Sequence, residues 1–220
     1  RARRFSAACS AARADARPEK EVVRGALWQS IQFDQKGVVT HMPSIYLSPS
    51  LQPYNKYVTT GDEQYWMNVI ADDMVPILEK NGIAVTRNTP GMTLGQAIRQ
   101  SNAGDYGLHL ALHSNAAPES LSGKLRGPDV YYYPYSTAGK RAADIIADNL
   151  RSFYPDPDLV NTVVTTKLAE ITKTNAPAVL VEIAYHDNVQ DEAWIRENTA
   201  LIAQNLALSV CEFFGLNCTL

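Results

Sequence analysis

Leu108-His109-Leu110-Ala111-Leu112-His113-Ser114-Asn115, at the middle of the chain, decides the fold. From 108 to 113 both faces of a strand are apolar apart from two histidines, so neither face can be turned to water. Such a strand belongs inside a covered, mostly parallel sheet. Ala178-Val179-Leu180-Val181-Glu182-Ile183, behind Pro177, repeats the pattern. Working outward, Ser44–Ser48 and Ile83–Thr86 read as strands, and Glu63–Lys80 as a strong helix. In that helix Trp66, Met67, Ile70, Met74, Ile77 and Leu78 recur at three- and four-residue steps, and Asn81-Gly82 supplies the stop. Thr93–Asn102 is a short helix, Asp129–Tyr133 a strand, Ala138–Phe153 a helix, and Asp191–Phe214 one long helix stopped by Gly215. Strands alternating with helices predict an α/β domain, a mostly parallel sheet with helices on both faces, from residue 42 to 215, with 216–220 as a short tail.

The chain has 220 residues, 45% hydrophobic and 20% charged, which suits a globular domain able to bury a full core. No run of about eighteen apolar residues exists, so no membrane span is expected. Residues 1–41 carry eight Lys or Arg against four Asp or Glu, while the remainder carries twelve against nineteen. A body of net charge −7 has no clustered cations for phosphates, which argues against a nucleic-acid partner. Residues 1–41 show no sustained periodicity and no apolar core of a signal peptide, and read as a poorly ordered or non-native extension ahead of Met42. Cys9, Cys211 and Cys218 form neither a framework nor a metal knuckle and read as reduced or incidental thiols.

Active sites of open α/β sheets lie beyond the carboxyl ends of the strands. His113-Ser114-Asn115 falls at one such end, Ser48–Gln52 at another, and Glu182–Asn188 at a third, with Glu63 at a loop-to-helix junction. Two histidines and two glutamates are thus candidates to converge, an inventory that suits a zinc hydrolase. Glu63 by position alone is equally a helix-start residue favoured by the macrodipole. Glu182 ends an apolar run, where a carboxylate faces burial unless paired. His109 shares a face with His113, but four residues at about 3.3 Å each hold them apart, so it reads as a core histidine or one supporting the site from behind. His41 lies in the extension and is discounted.

These residues resemble the zinc-dependent N-acetylmuramoyl-L-alanine amidases of the type-3 family, from about Ile45 to Phe214. Glu63 with Ala71 eight residues on resembles the family's helix-start glutamate, a zinc ligand. Asn81-Gly82 through Val85-Thr86-Arg87 resembles its Gly, strand, Thr-Arg segment. Leu112-His113-Ser114-Asn115-Ala116, with Asn102 ahead of it, resembles its Ile-His-Ala-Asn-Ala, whose histidine is a second ligand. Thr174-Asn175-Ala176-Pro177-Ala178-Val179-Leu180-Val181-Glu182 resembles its Thr-x-x-Pro-Ala-Val-Leu-Val-Glu, whose glutamate is the catalytic acid/base, and Asn188 falls in place.

One ligand is absent. The family's third, a histidine in an Asp-Pro-Gly-His-Gly segment, is replaced by Ser48-Pro49-Ser50-Leu51-Gln52. His186, standing where the family has an apolar residue, is the expected substitute, ahead of the amides of Gln52 or Asn55. That requires the chain to turn after Ile183. The resemblance implies a peptidoglycan hydrolase that cleaves the amide between N-acetylmuramic acid and L-alanine by zinc-activated water. Glu63, His113 and His186 would be ligands of Zn2+ and Glu182 the acid/base, in an extracellular or cell-wall setting. The rival readings are a wall-binding module of the same fold that has lost catalysis, and a zinc peptidase.

Overall fold

The structure, a computed structural model, describes residues 31–33 and 39–220. In the unit formed by residues 1–41, Ile31–Phe33 (β1) pairs antiparallel with Val39–His41 (β2). The rest of the expectation for that segment lies outside the described residues.

In the second unit, Met42–Leu220, elements follow as β3 (Ser44–Pro49), α1 (Glu63–Lys80), β4 (Ala84–Arg87), α2 (Leu94–Ala103), β5 (Leu108–Asn115) and β6 (Asp129–Tyr132). Then come α3 (Thr137–Arg151), β7 (Asn161–Val164), α4 (Ala169–Thr172), β8 (Ala178–Tyr185), α5 (Val189–Glu197) and α6 (Thr199–Phe213). The sheet order is β4-β3-β5-β8-β6-β7, parallel throughout except between β6 and β8. The two apolar strands β5 and β8 therefore lie side by side in the interior, as their composition demands.

One sheet face carries the main core, in which Ile45, Leu47, Leu110, Leu112, Val179 and Val181 meet Met67, Ile70 and Met74 of α1, Ile146 of α3 and Leu206 of α6. The other face is smaller, with Ala111, Ala178 and Leu180 against Ile171 of α4. Helix α2 lies on this side too, Ser101 meeting His109. Helix α1 starts where Asp62 caps it by accepting from Tyr65 N–H, and ends where Gly82 adopts φ 74°.

Several elements differ from the sequence reading. The long terminal helix is two, broken at Asn198, whose side chain turns back to donate to the Trp194 carbonyl instead of leaving the helix undisturbed. Strand β7 and helix α4 are four residues each, too short for periodicity to register. Cys211 and Cys218 form a disulfide, Cα atoms 5.7 Å apart, and the tail beyond Gly215 is fastened to the end of α1. There Asn81 donates to the Thr219 carbonyl and accepts from Thr219 N–H, both at 2.8 Å.

Strand β8 runs to Tyr185, past the turn expected after Ile183, and its pairing with β5 slips: His113 faces Glu182, but Asn115 faces Tyr185. This bulge puts Ile183 and Ala184 consecutively into the main core and reverses the alternation beyond it. Asn188 then caps α5, accepting from Gln190 and Asp191 N–H, and donates to the Gly123 carbonyl at 2.7 Å. Asn188→Ala is expected to lower unfolding free energy by about 1–2 kcal/mol, read from urea denaturation, because it removes both the cap and the loop tie.

Candidate active site

The carboxyl ends of β3, β5 and β8 are adjacent, which brings the loop 50–62, His113 and Glu182 to one place. The loop is fixed at its root: Ser50 N–H donates to the Leu112 carbonyl at 2.9 Å, and the Asn88 amide donates to Ser48 Oγ and the Pro49 carbonyl. From there Gln52 and Asn55 reach the start of α1, where Glu63 is 1% exposed.

Glu63 and His113 are in direct contact, Nδ1–H donating to Oε1 at 2.7 Å. Asn55 donates to the other carboxylate oxygen at 2.5 Å. The Gln52 amide nitrogen lies 3.4 Å from Glu63 Oε1 and 3.3 Å from His113 Nδ1. Burial by itself raises the Glu63 pKa, but the His113 hydrogen bond and charge, with help from Asn55, outweigh it and hold the group below its ordinary value. Burial likewise opposes charge on His113, yet Glu170 and Glu63, with the charge of Glu182, hold its pKa well above the imidazole range.

Glu182 stands on the neighbouring strand in register with His113. Its Oε2 is buried with no hydrogen-bond partner. Desolvation first, then the negative charges of Glu63 and Asp129, push its carboxyl up to about 7, with His113 pulling the other way. A proton acceptor poised there suits acid/base work near neutral pH. These groups open on a cleft of about 450 Å3, walled by Leu51, Tyr54, Leu94 and Leu180, with His113 and Glu182 among its lining groups.

The structure thus brings Glu63, His113 and Glu182 together and places His186, the expected third ligand, apart from them. The bulge turns His186 toward the main-core side, where its Nδ1–H donates to the Ser114 carbonyl at 2.8 Å and its ring stacks on Tyr57 at 5.4 Å. Counting residues along a regular strand cannot anticipate that reversal. Gln52, the weaker candidate in sequence, is the side chain that reaches the pair. Glu170 was missed altogether: it sits on a four-residue helix with no motif around it, yet contacts both His109 and His113.

Among the described residues no group of three or more His, Cys, Asp or Glu is arranged to hold a metal. With an amide admitted as third donor, the residues fit one. Gln52 NH2 and an Nδ1–H would be two donors meeting at 3.3 Å, an unfavourable contact. Turning the amide end for end presents Gln52 Oε1 instead, at the expense of the hydrogen bonds that Oε1 accepts from Tyr54 O–H at 3.0 Å and the Asn55 amide at 3.3 Å; the distinction between its O and N is an assignment from hydrogen bonds. Were His113 to give up its Nδ1 proton, Gln52 Oε1, Glu63 Oε1 and His113 Nδ1 would be three neighbouring donors of the oxygen and nitrogen type that zinc accepts.

Three solved structures share the fold at low identity. An N-acetylmuramoyl-L-alanine amidase of Nostoc punctiforme matches with TM-score 0.69 and 16% identity over 80% of this chain and 98% of that one. The catalytic domain of CwlV, an N-acetylmuramoyl-L-alanine amidase from Bacillus (Paenibacillus) polymyxa, matches with TM-score 0.69 and 18% identity over 80% and 100%. The N-acetylmuramoyl-L-alanine amidase from Clostridium difficile 630 matches with TM-score 0.70 and 15% identity over 80% and 98%. Comparison with curated protein sequences gives no match. The sequence model of the type-3 N-acetylmuramoyl-L-alanine amidases matches residues 56–212, beginning beyond Gln52 and taking in Glu63, His113 and Glu182. With that match across most of its length and the amidase fold in space, the chain belongs to the N-acetylmuramoyl-L-alanine amidase family, type 3.

Proposed function

We propose that this peptidoglycan amidase works with a zinc ion held by Glu63, His113 and Gln52, with Glu182 as the acid/base, on the amide joining N-acetylmuramic acid to L-alanine. The observation that carries the reading is the convergence of the first three side chains beside a half-buried carboxylate, Glu182, whose Oε2 is buried without a hydrogen-bond partner and whose pKa is pushed up to about 7. Zinc there supplies a Lewis acid for the scissile carbonyl and lowers the pKa of a bound water.

The chain's own groups do the rest. Glu182 takes a proton from the attacking water and passes it to the leaving amine, which its pKa near neutrality permits in both directions. Glu63 stays ionised and contributes the one negative charge of the donor set, while Asn55 keeps its second oxygen occupied. Leu51, Leu94 and Leu180 form a water-poor wall against the reacting bond. A wall-binding module has no use for a Glu182 with one carboxylate oxygen buried and unpartnered, which favours the enzyme over a degenerate relative. The substrate places the work in or on the cell wall.

Metal analysis together with release of stem peptides from purified sacculi tests the reading. Stoichiometric zinc and peptides with a new L-alanine amino terminus support it; a metal-free protein inert toward sacculi rejects it, and cleavage of free peptides supports the peptidase instead. The ligand set is tested separately. Gln52→Ala is expected to weaken zinc binding at least about 10-fold, the lower end of what losing even an outer partner costs. His186→Ala should leave zinc affinity unchanged.

A further inference from the structure

The proposed mechanism has no use for Glu170, yet a carboxylate 6% exposed is costly unless something requires it. It lies between two rings. Its Oε2 accepts from His109 Nε2 at 2.8 Å, and its Oε1 faces His113 Nε2 at 3.5 Å, just beyond a hydrogen bond. His109, fully buried and stacked on Tyr46 at 5.2 Å, is held from behind by Ser101 Oγ at 2.9 Å from its Nδ1. His113 Nε2 is buried without a hydrogen-bond partner.

These contacts have a direction. With Ser101 O–H donating to His109 Nδ1, the His109 proton is on Nε2 and points at Glu170. Glu170 Oε2 accepts that proton, and its Oε1 is left facing His113 Nε2. A neutral His113 protonated only on Nδ1 would set an Nε2 lone pair against that carboxylate, leaving both unsatisfied. Without an ion Nδ1 keeps its proton for Glu63 at 2.7 Å; once Nδ1 is given to a cation instead, the remaining ring proton is on Nε2, where Glu170 Oε1 is the acceptor that faces it.

We infer that Glu170, backed by His109 and Ser101, is a positioning residue that selects the Nε2–H tautomer of His113 and so presents Nδ1 to the metal. The inference rests on the ligand set proposed above and adds a residue to which no role has been given. A carboxylate behind a ligating imidazole fixes its orientation and increases its basicity.

Glu170→Gln is the informative variant because it keeps the shape. Its amide oxygen can still accept from His109, but its NH2 then faces His113 Nε2 and favours the opposite tautomer. Zinc affinity, measured by competition with a chelator, is expected to fall roughly 10- to 100-fold with little change in melting temperature. Undiminished affinity in the variant, with zinc bound by the wild type, overturns this inference alone. A wild type that binds no zinc overturns the ligand set and this inference together. Long-range 1H–15N correlation spectra of the zinc-loaded wild type decide independently of whether the variant folds. They should show the His113 proton on Nε2, and a proton on Nδ1 with Nε2 bound to zinc overturns the assignment.

Discussion

Glu182→Gln is expected to reduce kcat/KM on sacculi by about 10²- to 10⁴-fold while zinc stays bound, the range that loss of a positioned acid/base produces. It should also make the protein more stable. The Glu182 carboxyl rises from an ordinary 4.5 to about 7 in the fold because burial and the charges of Glu63 and Asp129 oppose ionisation. The native state therefore holds this proton more tightly than the unfolded chain, and stability is lost as pH rises from about 4.5 through about 7. Glutamine carries no such charge. In the zinc-free protein at pH 8, Glu182→Gln should gain of order 2 kcal/mol, raising the melting temperature roughly 5 °C, with the difference vanishing near pH 4. A cation beside Glu182 favours its ionised form, so the acid limb of kcat/KM in the loaded enzyme should lie below the pH at which the zinc-free carboxyl titrates. Equal melting curves for the two proteins at both pH values would remove the buried-charge account of this residue.

His113→Ala should act in the opposite direction. Its ring is 2.7 Å from Glu63 and 3.5 Å from Glu170, so alanine leaves two buried carboxylates facing a space with no cation in it. Breaking a buried pair by removing one partner costs about 3–5 kcal/mol, and Glu170 keeps His109, which favours the lower part of that range. Calorimetry at neutral pH should record a fall of roughly 10 °C in melting temperature together with loss of bound zinc. The pair of variants thus separates two kinds of active-site group: one whose charge the fold resists, and one on whose charge the fold depends. A His113→Ala protein that melts with the wild type would show that Glu63 and Glu170 are satisfied without it.

Much of this was readable before any coordinates. The strands β5 and β8 announced themselves because six consecutive positions without a polar face admit only a covered sheet. Helix α1 was readable, with approximate ends, since an apolar stripe with a stop at Asn81-Gly82 is a local signal. Glu63, His113 and Glu182 stood out because each is a polar residue at the end of an apolar element, and their convergence follows from parallel strands ending on one side. Helix α4 and strand β7 escaped because four residues hold no period, and Glu170 escaped with α4.

By itself the sequence determined the layered α/β fold, the order of its main elements and the identity of three converging groups, because hydrophobic periodicity and strand ends are properties of contiguous residues. Only the tertiary structure decided which side chains surround Glu63 and His113. A single extra residue in β8 turned His186 away, a loop hung from β3 brought Gln52 in, and a short helix put Glu170 behind His113. Those outcomes depend on register and contacts between segments about 57 to 72 residues apart, and one residue's slip in a strand exchanges its faces.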